Sequence, residues 1–286
     1  MSNTFKVTDY DIIYLSFDEP NAEQNYADLC SKIPWAKRVH GVEGSDAAHK
    51  ACAELSETDR FITVDGDNIV NQKFINQEID FDEHQDLQNS VISWAGYNVV
   101  NGLMYGNGGL NAQVDFCWDI NYIQMNSCFS HVYNNYTPQQ AWRAGFREGV
   151  KMALDRGLRV TKEQFAELHW KNLHRLYIWL TIGADVKNGL WAIYGAREGL
   201  YKTMATDWDF INVRDFRYLN NYWDEVEPRV AMEGLTDSIE ELGEKLLNEL
   251  NVPIPVIPFS PEQSKFFKTV YQNPGRMTNA LIDIET

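Results

Sequence analysis

The strongest constraint on this chain is the run from Phe61 to Asn68, FITVDGDN, where a short apolar segment stops at two aspartates separated by one glycine. A strand buried on both faces of a parallel sheet reads as a continuous apolar run. Ligands of such sheets sit off the carboxyl ends of the strands, where the loops begin. Asp65 and Asp67, one residue apart at that edge, suit a hard divalent cation. Magnesium and manganese take oxygen ligands and commonly bridge one or two carboxylates to substrate phosphates. An ordinary Asp-x-Asp turn after a strand is the competing reading. An EF-hand loop is excluded, because Ile69 occupies a ligand position and no glycine stands at the sixth place.

The residues in front of this run supply its setting. Asp11 to Ser16 (DIIYLS) is an apolar strand running into Phe17-Asp18-Glu19-Pro20. A polar helix is expected from about Asn21 to Lys32, with Ala22, Tyr26 and Leu29 spaced for one buried face and Pro34 ending it. Trp35 to Val42 reads as a second strand. Ser45 or Asp46 is the expected cap of a helix over Ala47 to Leu55, and the 61–64 strand follows. Strand–helix–strand–helix–strand at this spacing implies right-handed crossovers and a parallel sheet of nucleotide-binding type. Neither GxGxxG nor a Walker lysine motif is present, which disfavours NAD and P-loop ATP.

Composition narrows the class. A chain of 286 residues with 44% hydrophobic and 13% aromatic residues can bury a proper core. No basic-then-apolar signal opens it, and no apolar run approaches the ~20 residues of a membrane span, so no membrane partner is expected. Cys30, Cys52, Cys117 and Cys128 lie far apart without a CxxC pair, as free thiols in a reducing cytoplasm would. The net charge of −16 argues against broad nucleic-acid binding, but residues 143–175 hold eight Lys/Arg against four Asp/Glu. That is one basic island in an acidic protein.

The run GSDAAHKACAELSETDRFITVDGDN resembles the nucleotide half of GT-A glycosyltransferases. The resemblance covers residues 10–70 well and 90–135 loosely. It implies a GT-A-like, Rossmann-type α/β domain for the nucleotide-sugar over 1–135, with an appended helical region. Asp65-Gly66-Asp67 matches the metal-holding DxD motif, fifteen residues beyond Lys50. Ser16, Phe17, Asp18, Glu19 and Ser45 would border the nucleoside, and His49 or Lys50 would face the diphosphate. The implied cofactor is Mg2+ or Mn2+ and the implied donor a UDP-sugar. Residues YGNGGLNA (105–112), TPQQAWRAGFREG (137–149) and GADVKNGLWAIYGAREG (183–199) also resemble glycosyltransferases of large tailed bacteriophages, some of which add sugars to hydroxylated cytosine in phage DNA. The location implied is then the host cytoplasm, with DNA as acceptor. A glycan or protein acceptor is the alternative, and a virion or binding protein keeping the fold without turnover is the non-enzymatic one.

Beyond the DxD, the acidic stretch Glu78 to Asp86 reads as solvated loop. Val91 to Tyr105 alternates as paired strands do. Gly108 and Gly109 lie in a tight glycine-rich turn. The resemblance sets them beside the donor sugar, and a plain hairpin turn is the other reading. Asp115 and Asp119 fall where the family often carries an acceptor-activating carboxylate. His131 falls where some members complete the metal shell, although a lone histidine is more often structural.

From Thr137 the pattern is helical, with a helical region expected over 136–250. Thr137-Pro138-Gln139-Gln140 combines an N-cap, proline at N1 and glutamine at N3. Trp142, Phe146, Val150 and Ala153 mark the buried face. Arg143, Arg147 and Lys151 share another, either tracking acceptor phosphates or simply solvated. A second capping box, Thr161 to Gln164, opens a helix to about Leu180, and 185–203 and 237–250 read as further helices. Residues 251–286 form a proline-rich connector and tail whose Phe266, Phe267, Val270 and Tyr271 dock back as a short helix or meet a partner.

Overall fold

The computed structural model describes residues 3–113, 121–165 and 170–271. Two compact units emerge, Met1–Val99 with Met104–Tyr133, and Val100–Leu103 with Asn134–Thr286. Among the described residues no helix is long and apolar enough to cross a membrane.

In the first unit, β1 (Thr4–Lys6) precedes β2 (Asp11–Ser16), α1 (Ala22–Lys32), β3 (Lys37–His40), α2 (Ser45–Leu55) and β4 (Phe61–Asp65). There follow β5 (Asn68–Val70), β6 (Glu78–Asp80), the short α3 (Gln85–Gln88), β7 (Val91–Asn98), β8 (Met104–Gln113) and β9 (Tyr122–Val132). Seven strands form one sheet in the order β3-β2-β4-β8-β7-β9-β5, and β1 pairs with β6. β2 lies parallel to both β3 and β4, as the crossovers require. The sheet as a whole is mixed, however, because β8 runs antiparallel to β4 and β7. Alternate residues of the central strands enter opposite cores: Ile12, Tyr14, Ile62 and Val64 join one cluster, Ile13 and Phe61 another beneath α2. Burial on both faces accounts for their unbroken apolar sequence.

Four expectations change in this unit. The second strand is confined to Lys37–His40. Neither Ser45 nor Asp46 caps α2; the N-cap is Gly44, at φ +93 and with no side-chain bond. The acidic stretch is not all loop, since Glu78–Asp80 pairs with β1 and buries Ile79. The glycine-rich run is not a turn but lies within β8. Its register on β7 jumps from Trp94–Leu110 to Gly96–Tyr105, so residues 106–109 stand opposite Ala95 alone, as a bulge.

The second unit is helical. It holds α4 (Pro138–Met152), a small β10–β11 hairpin (Leu154–Asp155, Leu158–Arg159), α5 (Lys162–Phe165), α6 (Trp170–Thr181), α7 (Gly189–Ala205), α8 (Phe216–Glu233), α9 (Leu235–Leu250) and α10 (Pro261–Tyr271). Thr137 caps α4 by accepting from Gln140 N at 3.1 Å, and Thr161 and Gln164 bond reciprocally. Trp142, Phe146, Val150 and Ala153 are all buried. Gly145 and Gly149 of α4 face Gly195 and Gly199 of α7, and a Cβ on any of them would strike a backbone carbonyl of the other helix. The two helices therefore touch along their backbones. Arg197 of α7, fully buried, donates to the carbonyls of Leu180, Ile239, Pro255 and Val256, tying the proline-rich connector to the core. The terminal α10 is fixed by an ion pair of 2.7 Å between Lys268 and Asp185.

Candidate functional site at the carboxyl edge of the sheet

From β2 the chain passes through α1 to β3 on one side, then through α2 back across β2 to β4 on the other. Strand order thus reverses at β2, and the carboxyl ends of β2 and β4 flank the crevice where open α/β sheets bind ligands. Leu15 of β2 pairs with Asp65 of β4, so Ser16 to Glu19 and Asp65 to Asp67 leave the sheet side by side.

The turn between Asp65 and Asp67 is held from below. Tyr14 Oη donates to Gly66 O at 2.6 Å and Asn25 Nδ2 donates to the same oxygen at 3.0 Å. Tyr133 N donates to Asp67 O at 2.7 Å, and Asn68 Nδ2 donates to Asp67 Oδ1 at 3.2 Å. Gly66 lets the Glu19 carboxylate close over the turn, since a Cβ there would meet it at 2.7 Å and push it aside. Glu19 Oε2 itself accepts from Phe17 N at 2.8 Å. Gly109, at φ +75, presses against the other side, where a Cβ would meet Asp65 Oδ2 and Asn68 Nδ2, each at 2.6 Å. Glu19, Asp65, Gly66, Asp67 and Gly109 form one cluster.

Burial and like charge bear most heavily on Asp65. Asp65 as a residue is partly covered, but its carboxyl lies under surrounding protein; burial first, and the negative charge of Glu19 second, push its pKa up to about 7. Asn68 Oδ1 is buried and finds no hydrogen-bond partner among the described residues. Among the described residues no three His, Cys, Asp or Glu side chains gather as a metal site. His131 sits in β9 opposite Ile69, with its ring 5.9 Å from that of Tyr97, and burial lowers its pKa.

The nucleoside candidates surround the same edge. Phe17 is 48% exposed and Asp18 is exposed, while Ser16 is buried. Ser45, His49 and Lys50 occupy the first turns of α2, and His49 Nδ1 donates to Ser45 O at 2.9 Å. Gly108 lies in the β8 bulge beside Gly109. Asp115 and Asp119 lie outside the described residues. Arg143 and Arg147 belong to the helical unit, where both guanidinium groups lie over the Phe216 ring, at 4.8 and 4.6 Å, and Arg143 also donates to Asn220 at 3.1 Å.

Sequence reasoning missed Tyr14, Asn25 and Asn68 as supports of the turn. Asn25 carried a signal, being a polar residue on the same helical face as Ala22 and Leu29. It also missed Arg38 and His40 at the end of β3. Arg38 Nε donates to Ser16 Oγ at 3.1 Å, and Arg38 Nη2 lies 3.2 Å from His40 Nδ1. A guanidinium accepts nothing, so in that contact Arg38 is the donor. No protein-family model matches the chain, and no match to a curated protein is found.

Proposed function

We propose that the chain is a metal-dependent glycosyltransferase on a GT-A-like nucleotide-sugar domain, related to those of large tailed bacteriophages. It moves a sugar from a nucleotide-sugar, a UDP-sugar first, to an acceptor hydroxyl. The observation that carries this reading is the Asp65-Gly66-Asp67 turn at the strand-order reversal, with Glu19 over Gly66 and Gly109 against Asp65. The donor set fits Mg2+ or Mn2+: two carboxylates two positions apart on one turn, with no neighbouring cation among the causes that set the Asp65 pKa. Asp65 and Asp67 would hold the ion, which when bound offsets negative charge on the departing nucleoside diphosphate.

The chain's own residues do the rest. Tyr14 and Asn25 lock the Gly66 peptide and so hold the two carboxylates at a set spacing, which positions the donor. Phe17 offers an exposed ring to the nucleobase, and Ser16, Asp18 and Ser45 border the nucleoside. His49 and Lys50 face the phosphates from α2, an end that suits anions because its first N–H groups lack a side-chain cap. Gly108 and Gly109 leave room for the sugar. Asp115 or Asp119 takes the acceptor proton.

Hydroxylated cytosine in DNA is the first acceptor, through the basic stretch 143–175. A glycan or protein acceptor is the second reading, favoured by the engagement of Arg143 and Arg147 on Phe216. Turning a base out of a duplex costs a few kcal/mol, which phosphate contacts must offset in a salt-dependent way. Arg143→Glu with Arg147→Glu is therefore expected to weaken labelled-sugar transfer to hydroxymethylcytosine DNA steeply, to spare donor hydrolysis, and to matter less as salt rises. Normal DNA modification by the double variant, or wild type that glycosylates a protein or glycan and ignores such DNA, transfers the reading to the second acceptor.

A further inference from the structure

The helical unit contains a second polar cleft, of about 290 Å³, walled by α7, α8 and α9. Its floor is the buried carboxylate of Glu198, which accepts from Trp142 Nε1 at 2.8 Å, Tyr222 Oη at 2.8 Å and Arg229 Nη2 at 2.6 Å. Arg229 thus cancels the charge of Glu198. Lys202 adds another cation to the same wall. Its ammonium lies 4.5 Å from the Tyr222 ring centroid and donates to Tyr222 Oη at 3.3 Å, and among the described residues it makes no ion pair. Burial lowers its pKa, against the opposing pull of the Glu198 and Glu225 carboxylates. Among the described residues the Arg229 guanidinium donates through Nη2 alone, to Glu198 and to Tyr194 Oη at 2.8 Å. At the mouth, Lys245 and Glu241 cancel one another at 2.5 Å. Glu233 is exposed there and accepts from Ser238 Oγ at 3.3 Å.

Glu198, Arg229 and Lys202 together hold one positive charge more than negative, Glu233 at the mouth balancing it, and among the described residues the lysine and the arginine keep donors to spare. Tyr194, Tyr201 and Tyr222 supply its apolar surface. We infer that this cleft binds a small phosphate monoester, no larger than a sugar phosphate, with its oxyanion between Lys202 and Arg229. A guanidinium fork and a compact ammonium together suit a dianionic phosphate. The volume lies at the lower end of the ~300–1,000 Å³ of small-molecule sites, which limits the body of the ligand. This inference does not depend on the transferase reading, since it uses none of the sheet-edge residues.

Calorimetric titration of the full chain at low salt tests it, with inorganic phosphate, glucose 6-phosphate, acetate and neutral glucose as probes. Both phosphates are expected to bind saturably and glucose not to bind. Lys202→Met, which keeps the packing over Tyr222, is expected to weaken glucose 6-phosphate binding about tenfold or more, and Lys202→Arg by no more than about threefold. Glu233→Gln removes an anion from the mouth and is expected to tighten binding several-fold. The inference is overturned by the lack of saturable phosphate binding, by equal affinity in wild type and Lys202→Met, or by acetate or glucose binding as tightly as glucose 6-phosphate. If Lys202→Met does not fold, weaker binding by Glu233→Gln overturns it as well.

Discussion

Asp65 and Glu198 are both carboxylates sunk into the fold, and the protein treats them in opposite ways. Glu198 receives three donors, one of them cationic, and a second cation stands nearby. Asp65 has a second carboxylate, Glu19, as the charged neighbour that acts on it, and its pKa rises accordingly. A buried charge is tolerated where donors converge and costs several kcal/mol where none does. The Glu198 cluster therefore reads as structure with positive charge to spare. Asp65 has no such cation among the causes that act on it, and a proton, or the proposed metal ion, relieves its charge.

Glycine to valine at position 109 should break the contrast most severely. A branched side chain at φ +75, aimed at Asp65 and Asn68, displaces both carboxylate and amide. Misplacement by about 1 Å costs on the order of a hundredfold in rate, so UDP release from a UDP-sugar should fall at least that far. The strained backbone adds about 1–3 kcal/mol of destabilisation, readable in a thermal melt.

The complementary change is Glu198→Ala. It strands the Trp142, Tyr222 and Arg229 donors in a buried site, at a cost of about 3 kcal/mol. Melting should drop by about 6–12 °C while UDP release per folded molecule stays at the wild-type rate. Asp65→Asn should do the reverse, leaving the melt unchanged or raised and abolishing turnover. A pair of variants that both lose stability and both keep activity would erase the distinction between the two sites.

The smallest effect is in pH. In the folded protein without metal, Asp65 holds its proton up to about pH 7, whereas an ordinary aspartate loses it near 3.8. Between those values the folded state binds more protons than the unfolded, so this group's contribution to stability falls as pH rises. Melts from pH 4 to 7 should show that slope in EDTA, a flatter one in saturating Mn2+, and none of its Asp65 component in Asp65→Asn. Glu19→Gln removes the neighbouring charge and should move the window to lower pH.

Local signals in the sequence read through to the structure. The Thr137 and Thr161 caps rest on contacts within a few residues, and the Asp11–Ser16 and Phe61–Asp65 strands and the α1 helix show in their own apolar patterns although the strands pair with distant ones. Longer-range features did not. α8 went unseen because Pro228, which reads as a breaker, sits inside it and is tolerated on an exposed face. The 105–109 run read as a turn because glycine marks turns, whereas here the Gly109 conformation is set by Asp65 and Asn68 across the sheet. The support of Gly66 by Tyr14 and Asn25 joins residues 52 and 41 positions apart, and no spacing rule spans that distance. The close approach of glycines 145 and 149 to the α7 backbone, and of 195 and 199 to the α4 backbone, joins residues about fifty positions apart and shows only in the fold.

The central claim is that Asp65 and Asp67 act through a divalent cation on a nucleotide-sugar. The direct measurement is UDP release from a set of UDP-sugars by wild type and Asp67→Ala, each in Mn2+ and in EDTA, with thermal melts alongside. The account predicts release by wild type in Mn2+ alone, near-complete loss in Asp67→Ala, and melts that differ little between the two, because a carboxylate on a strand-end turn contributes little to packing. Wild-type release that survives EDTA together with an active Asp67→Ala would contradict it.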